Sequence, residues 1–319
     1  MAEWIIAGHV DHPAAADVLA LAAHACALAR DAGCTPVFLA VGHALCRDDC
    51  RRIAACGVQR IEFIRLETKL PFCGGTAQAV AARLQALAPE VVLFSATDET
   101  RILAAQIAAH LGTGLTADCT NLCFRDGLLV QTRPAFGGNL IADIVCPARR
   151  PQMATVHPFA FAPQRIPAAA AEEVPVVTHT ARIKDDAALL WEESVAAAPI
   201  GTAKAVLCGG LGLGHDGFRL LDALCHATGA ALGATRAAVN AGLAPYACQI
   251  GQTGVGLAAK LYVGFGVSGA VQHIAGMRSC EKIIAVNTDA DAPIARVCDV
   301  FIHADAIALL DALVKRACK

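Results

Sequence analysis

The sequence predicts an α/β fold made of two parallel-sheet domains. Three observations point there. Short apolar runs alternate with helix-length stretches through the first hundred residues, and the same alternation resumes near residue 202. Between the two blocks lies a stretch punctuated by Pro163, Pro167, Pro175 and Pro199. The composition is 56% hydrophobic and 17% charged, with little aromatic content, which suits buried parallel strands under alanine-faced helices. A chain of 319 residues also exceeds what one compact core usually fills.

The elements follow in order. Residues 4–7 form an apolar strand, and residues 14–32 carry a helical period that stops at Gly33. Strands at 36–41, 60–65 and 91–95 alternate with helices at 48–55, 76–87 and 100–111. Beyond Gly114 the pattern turns to strands at 120–124, 128–133, 141–146 and 153–156, with turns at Asp126-Gly127 and Gly137-Gly138. Asp-Gly between apolar runs is a hairpin signal. One more strand is expected at 174–180. The expected boundaries are 1–185 for the first domain, 186–201 for a linker and 202–319 for the second domain. In the second, strands at 205–207, 260–263, 282–286 and 300–303 alternate with helices at 216–227, 270–277 and 305–316. The uncharged stretch 237–259 reads as buried turns and short strands.

Several function classes are disfavoured. A net charge of −2, with no basic block, gives no electrostatic footprint for nucleic acid. Stretch 237–259 contains Asn240, Pro245, Gln249, Gln252 and several glycines, which a membrane-spanning helix would leave costly in lipid. The first ten residues run straight into a strand with no leader pattern, so a cytoplasmic protein without a membrane span is expected. The 15 cysteines include no CxxC. The pairs Cys46/Cys50 and Cys119/Cys123 lack the second pair or matched histidine of a metal site, and they read as reduced, small hydrophobes. There is no nucleophile elbow, HExxH or carboxylate pair beside a histidine.

What remains is a set of ligand-holding segments. Gly209-Gly210-Leu211-Gly212-Leu213-Gly214 joins a strand to a helix, as phosphate-cradling loops do, but it lacks the spacing of the dinucleotide or triphosphate fingerprints. A ligand-free glycine turn is an equal reading. Gly264-Phe265-Gly266-Val267-Ser268-Gly269-Ala270 is a second strand-to-helix passage, with Ser268 expected at the N-cap. The amides of Gly269 and Ala270 would face an anion, with Gln272 and His273 close by. A core histidine with satisfied partners is the competing reading for His273. Gln249-Ile250-Gly251-Gln252-Thr253-Gly254 offers neutral donors and acceptors for a ring with amide-like edges, or is a plain turn. Arg236, after Thr235 at the start of a short helix, would neutralise an anion or sit idle in solvent.

Taken together and in this order, these segments resemble the electron-transfer flavoprotein α subunit family. The resemblance spans nearly the whole chain. It includes Gly112-Thr113-Gly114-Leu115-Thr116-Ala117-Asp118-Cys119, Arg133-Pro134-Ala135-Phe136-Gly137-Gly138-Asn139 and Arg150-Pro151-Gln152-Met153-Ala154-Thr155-Val156 in the first domain. In the second it includes Gly266 through Met277, and Ile284-Ala285-Val286-Asn287 with Ala292-Pro293-Ile294. The resemblance implies an N-terminal Rossmann-like domain of nucleotide-hydrolase type that docks a β subunit, and a C-terminal doubly wound domain that binds FAD. It implies electron transfer between flavin dehydrogenases, of acyl-CoA type, and an acceptor. It places Thr253 near the flavin N5, Arg236 beside the isoalloxazine, and His273 with Gln249 near the pyrimidine end. Ser268, Gly269 and Ala270 would hold the diphosphate, and Gln272, Asn287 and Asp305 would serve the ribityl–adenosine part. Gly210, Leu211, Thr235, Gly251, Gln252 and Gly266 complete the implied set.

Four positions depart from that family's pattern. Thr235 stands where serine is usual, Val255 where lysine is, Leu211 where arginine is, and Asn240 where aspartate is common. Two missing positive charges predict a lower flavin potential or different partners. Two alternatives stand beside the simple carrier. One is the α subunit of a flavin-bifurcating, NADH- and ferredoxin-linked version. The other is a flavin-poor structural subunit of an acyl-CoA reductase complex.

Overall fold

The computed structural model describes residues 2–67, 74–135, 140–158, 160–161, 173–183, 190 and 200–317. The chain divides into two compact units, Met1–Glu192 and Glu193–Lys319.

The first unit runs β1 (Glu3–Ala7), α1 (Ala16–Asp31), β2 (Thr35–Gly42), α2 (Arg47–Ala54), β3 (Arg60–Glu67), α3 (Gly74–Leu87), β4 (Val91–Ser95) and α4 (Asp98–Leu111). It continues with β5 (Leu115–Cys119), β6 (Asn121–Arg125), β7 (Leu128–Ala135), β8 (Leu140–Ile144), β9 (Gln152–Val156) and β10 (Val176–Arg182). Seven strands form one parallel sheet in the order β10-β3-β2-β1-β4-β9-β5. Alternation along β1 explains its central place. Trp4 and Ile6 enter the core under α1, whereas Ile5 and Ala7 enter the core under α3 and α4. All four are 0–1% exposed. Each large side chain buried in this way contributes about 1.5–3 kcal/mol, so a strand buried on both faces reads as a continuous apolar run.

The hairpin expected at Asp126-Gly127 is present. Both residues have positive φ, 52° and 78°, and Arg125 pairs Leu128 across the turn. That twist suits a two-residue hairpin. β6, β7 and β8 make a separate three-stranded antiparallel sheet. Strand β5 was absent from the sequence reading, because Thr116 and Asp118 interrupt its apolar pattern and its register shifts between Thr116 and Cys119. The strand expected in the connection joins the first sheet as β10, parallel to β3. Gly137-Gly138 and nearly all of the expected linker 186–201 lie outside the described residues.

The second unit runs β11 (Ala205–Gly209), α5 (Gly214–Thr228), β12 (Ala231–Ala234), α6 (Arg236–Asn240), β13 (Leu261–Phe265), α7 (Val271–Met277), β14 (Ile283–Asn287), β15 (Val300–His303) and α8 (Ala306–Ala317). The sheet is parallel, in the order β12-β11-β13-β14-β15. Strand β12 is the second missed element. It has four residues, Ala231 to Ala234, too short and too small to show a period. Helices α5 and α8 pack together over Leu207, Phe265 and Val286, while Val206, Cys208, Tyr262 and Ala285 face the opposite core.

Among the described residues no helix is long and apolar enough to cross a membrane. The described cysteines are free thiols. Burial pushes the thiols of Cys26, Cys119, Cys208 and Cys225 up to about 12.

Candidate flavin-binding site

In the second sheet the strand order reverses between β11 and β13. The chain goes to one side for β12 and to the other for β13, β14 and β15. In open α/β sheets such a switch point leaves a crevice at the carboxyl ends of the strands, where ligands bind. Nearly all the residues singled out from the sequence lie at that edge. Gly210 and Leu211 follow β11, Thr235 and Arg236 follow β12, and Gly266, Ser268, Gly269 and Ala270 follow β13. Asn287 closes β14 and Asp305 precedes α8.

The two glycine loops touch. Gly210 N–H donates to the Phe265 carbonyl at 2.9 Å, and a Cβ on Gly210 would stand 1.8 Å from the Gly266 carbonyl oxygen. Only glycine permits that approach. Among the described residues, the amides of Leu211, Gly212, Ser268, Gly269 and Ala270 donate to no protein acceptor. The loops therefore present a group of free N–H donors, the arrangement that cradles a diphosphate. Ser268 is not the N-cap expected from the sequence. The cap is Ala270, with φ −54° and ψ 142° and no side-chain bond, because α7 starts only at Val271. Ser268 instead stays exposed, and its carbonyl accepts from Ile294 N–H at 3.1 Å.

Asn287 braces the second loop. Its Nδ2 donates to the Val267 carbonyl at 3.0 Å, and its Oδ1 accepts from Asp289 N–H at 3.1 Å. Asp305 caps α8, its carboxylate accepting from the amides of Ile307 and Ala308. Thr235 caps α6, its hydroxyl accepting from Ala238 N–H at 3.4 Å. Arg236 is then the first residue of that helix, exposed and without an ion-pair partner among the described residues. Leu211 is 52% exposed.

The turn from Gln249 to Gly254 is held from within. Gln249, 3% exposed, donates from Nε2 to the Thr253 carbonyl at 2.9 Å and to Thr253 Oγ1 at 3.1 Å. Tyr246 adds a hydroxyl bond to the same carbonyl at 2.8 Å. Gln252 and Thr253 remain exposed, as does Gln272 at the start of α7. Gly251 and Gln252 lie against α7, where Gln252 N–H donates to the Gln272 carbonyl at 2.8 Å. The ring of His273 is buried, with Nδ1 3.1 Å from the Ile250 carbonyl and Nε2 2.8 Å from the Tyr262 hydroxyl. Burial holds the imidazole down at about 4 against the opposing Ile250 bond, so the ring is neutral at physiological pH. Tyr262, Tyr246 and Cys208 were missed by the sequence reading. Tyr262, as an apolar-strand residue, gave no signal there.

Comparison with known proteins decides the family. The electron transfer flavoprotein domain matches residues 4–182, and the electron transfer flavoprotein FAD-binding domain matches residues 199–278. The α subunit of an electron transfer flavoprotein from Thermoanaerobacterium thermosaccharolyticum is 40% identical over 248 residues, covering 76% of this chain and 74% of the relative. The chain belongs to the electron-transfer flavoprotein α family. Protein FixB of Bradyrhizobium diazoefficiens is 41% identical over 234 residues, 70% of this chain and 63% of its own length. The acryloyl-CoA reductase electron transfer subunit beta of Anaerotignum propionicum is 36% identical over 250 residues, 68% of each chain.

The cofactor of this α-family chain is FAD, and the matched FAD-binding domain lies within the second unit. The residues present fit that group. The free loop amides suit its diphosphate, the unpaired Arg236 suits a site of negative charge, and the exposed Gln252 and Thr253 offer neutral groups to a polar ring edge.

Proposed function

We propose that this α-family chain pairs with a β subunit as a cytoplasmic electron carrier. One FAD lies across the switch point of the second sheet, and the pair relays electrons between flavin dehydrogenases of acyl-CoA type and a downstream acceptor. The flavin supplies the electron-accepting chemistry; the protein binds, orients and biases it. The observation that carries this reading is the pair of touching glycine loops with free amides, inside the matched FAD-binding domain.

In this reading Ser268, Gly269 and Ala270, with Gly210, Leu211 and Gly266, receive the diphosphate. Thr253 approaches the flavin N5, and Gly251 and Gln252 shape the same turn. Arg236, set by the Thr235 cap, lies beside the isoalloxazine and favours negative charge on it. Gln249 and His273 support the pyrimidine end. Gln272, Asn287 and Asp305 frame the ribityl–adenosine side.

The relative named as an acryloyl-CoA reductase electron transfer subunit favours a second reading, in which the chain serves within such a complex; the flavin-bifurcating version is a separate alternative. Co-purification with the β subunit and quantification of flavin separates these. One FAD per pair is expected. Two would favour bifurcation, tested next with NADH. None after added FAD would leave the flavin-poor structural subunit.

A further inference from the structure

The buried hydrogen bonds behind the Gln249–Gly254 turn carry an inference of their own. A backbone carbonyl only accepts, so the 3.1 Å contact between His273 and the Ile250 carbonyl makes Nδ1 the protonated nitrogen. A neutral ring then has only its Nε2 lone pair left, and the Tyr262 hydroxyl at 2.8 Å must donate to it. The chain of bonds therefore has one direction: Tyr262 to His273 to Ile250. Tyr262 is 0% exposed and sits on β13, a strand with partners on both sides. His273 belongs to α7, and Ile250 belongs to the turn. The three tie a fixed sheet, a short helix and a ligand-facing turn into one line.

The surroundings keep that line in a single state. Room for the tyrosine comes from Gly264, where a Cβ would stand 3.1 Å from the hydroxyl. Cys208 Sγ on β11 lies 3.9 Å from the same Nε2. Burial raises both Tyr262 and Cys208, so neither ionises near neutral pH. Cys280, also close to Tyr262, is raised by burial too. The turn and the chain that follows it are pressed onto α7 at two further points. A Cβ on Gly276 would stand 2.5 Å from the Gly251 Cα, and Leu257 N–H donates to the Gly276 carbonyl at 2.7 Å.

We propose that Tyr262 is a positioning residue, which fixes the tautomer of His273 and through it sets the height of the Gln249–Gly254 turn against the cofactor. This rests on the reading that FAD occupies the switch point. Tyr262 touches no cofactor atom in this scheme. It keeps His273 from turning away from Ile250, and so keeps Gln252 and Thr253 presented to the crevice.

The test uses Tyr262→Phe in the holoprotein and in the same protein stripped of FAD. The ring is conserved and only the donor is lost. The FAD dissociation constant is expected to rise about tenfold, the scale of one buried hydrogen bond to a neutral group. The amides of Gln252 and Leu257 are expected to exchange faster with solvent in both forms. Nitrogen resonances of His273 are expected to show Nδ1–H in the unaltered protein and an altered Nε2 in the variant. Leu224→Ala, a truncation in the core on the opposite face of the sheet, serves as the stability control: it lowers Tm and leaves these three readouts in place. An unaltered protein whose His273 is protonated on Nε2 overturns the proposal, whether or not the variant folds. So does a folded Tyr262→Phe with unchanged amide exchange and affinity. Absence of FAD binding in the unaltered protein overturns the cofactor reading instead, while the exchange and tautomer readouts still decide the strut.

Discussion

The two parallel sheets each have a switch point, and the two are finished in opposite ways. In the first, the order reverses between β1 and β4. The chain leaving β1 folds back on itself, so that His9, Val10, Pro13 and Ala14 are buried and a Cβ on Gly8 would stand 2.8 Å from Pro13. Asp17, in the first turn of α1, accepts from His9 Nε2 at 2.8 Å and from Ser95 Oγ at 2.5 Å. A carboxylate thus occupies the helix start where an anionic ligand would otherwise be favoured. In the second sheet the corresponding place holds glycines, free amides and an unpaired Arg236. The same architecture becomes a filled scaffold when the loop supplies its own anion, and a ligand site when the loop withholds it.

The comparison breaks most sharply at Gly210. Gly210→Val would drive carbon atoms into the Gly266 carbonyl and part the two loops. FAD affinity is expected to fall by about a hundredfold, the upper end of overpacking costs. Unfolding of the first unit, followed separately, should not change. Retained affinity in a fluorescence titration would show that the loop contact is dispensable.

The mirror-image variant is Asp17→Ala. It leaves the His9 ring and the Ser95 hydroxyl without their shared acceptor, and is expected to destabilise the first unit by about 2–3 kcal/mol with FAD affinity intact. The pH dependence follows the same group. Burial alone would raise the Asp17 carboxyl, but its bonds to His9 and Ser95 outweigh this and lower it below its ordinary value. Its contribution is therefore complete above the unfolded value, roughly 3.9, and is lost as pH falls through the lower folded value. Acid unfolding of the first unit should lose this step in the variant. An unchanged profile would remove Asp17 from the account.

Much of this was legible in the sequence, for identifiable reasons. Strands buried on both faces, such as residues 91–95, announce themselves as unbroken apolar runs. The Asp126-Gly127 hairpin was readable because only a few residue types tolerate positive φ twice in succession. The glycine loops were visible as segments, but their contact was not, since Gly210 and Gly266 meet only once β11 and β13 pair. Strand β12 was hidden because Ala231, Leu232, Gly233 and Ala234 carry no pattern that separates them from a loop. The Ser268 cap failed because hydroxyl chemistry favours a cap but cannot say where a helix begins. Tyr262 was invisible because a buried tyrosine in an apolar strand looks like packing until its hydroxyl finds His273.

The smallest expected effect adds to the open site instead of breaking it. Leu211 is 52% exposed on the first glycine loop, beside amides that have no acceptor. Leu211→Arg would place a second guanidinium on the edge that now has Arg236. Exposed charges are screened, and such a gain is worth only about 0.2–1 kcal/mol, so FAD affinity is expected to rise roughly twofold to fivefold. The flavin potential should rise with it, because a long cationic side chain on the diphosphate loop reaches toward the ring, and positive charge there favours the reduced, more negative form. The affinity gain should shrink as salt is raised from low ionic strength to half-molar, as screening requires. A potential that stays put while affinity rises would place Leu211 by the diphosphate and away from the ring. A potential that rises with no change in affinity would place it by the ring.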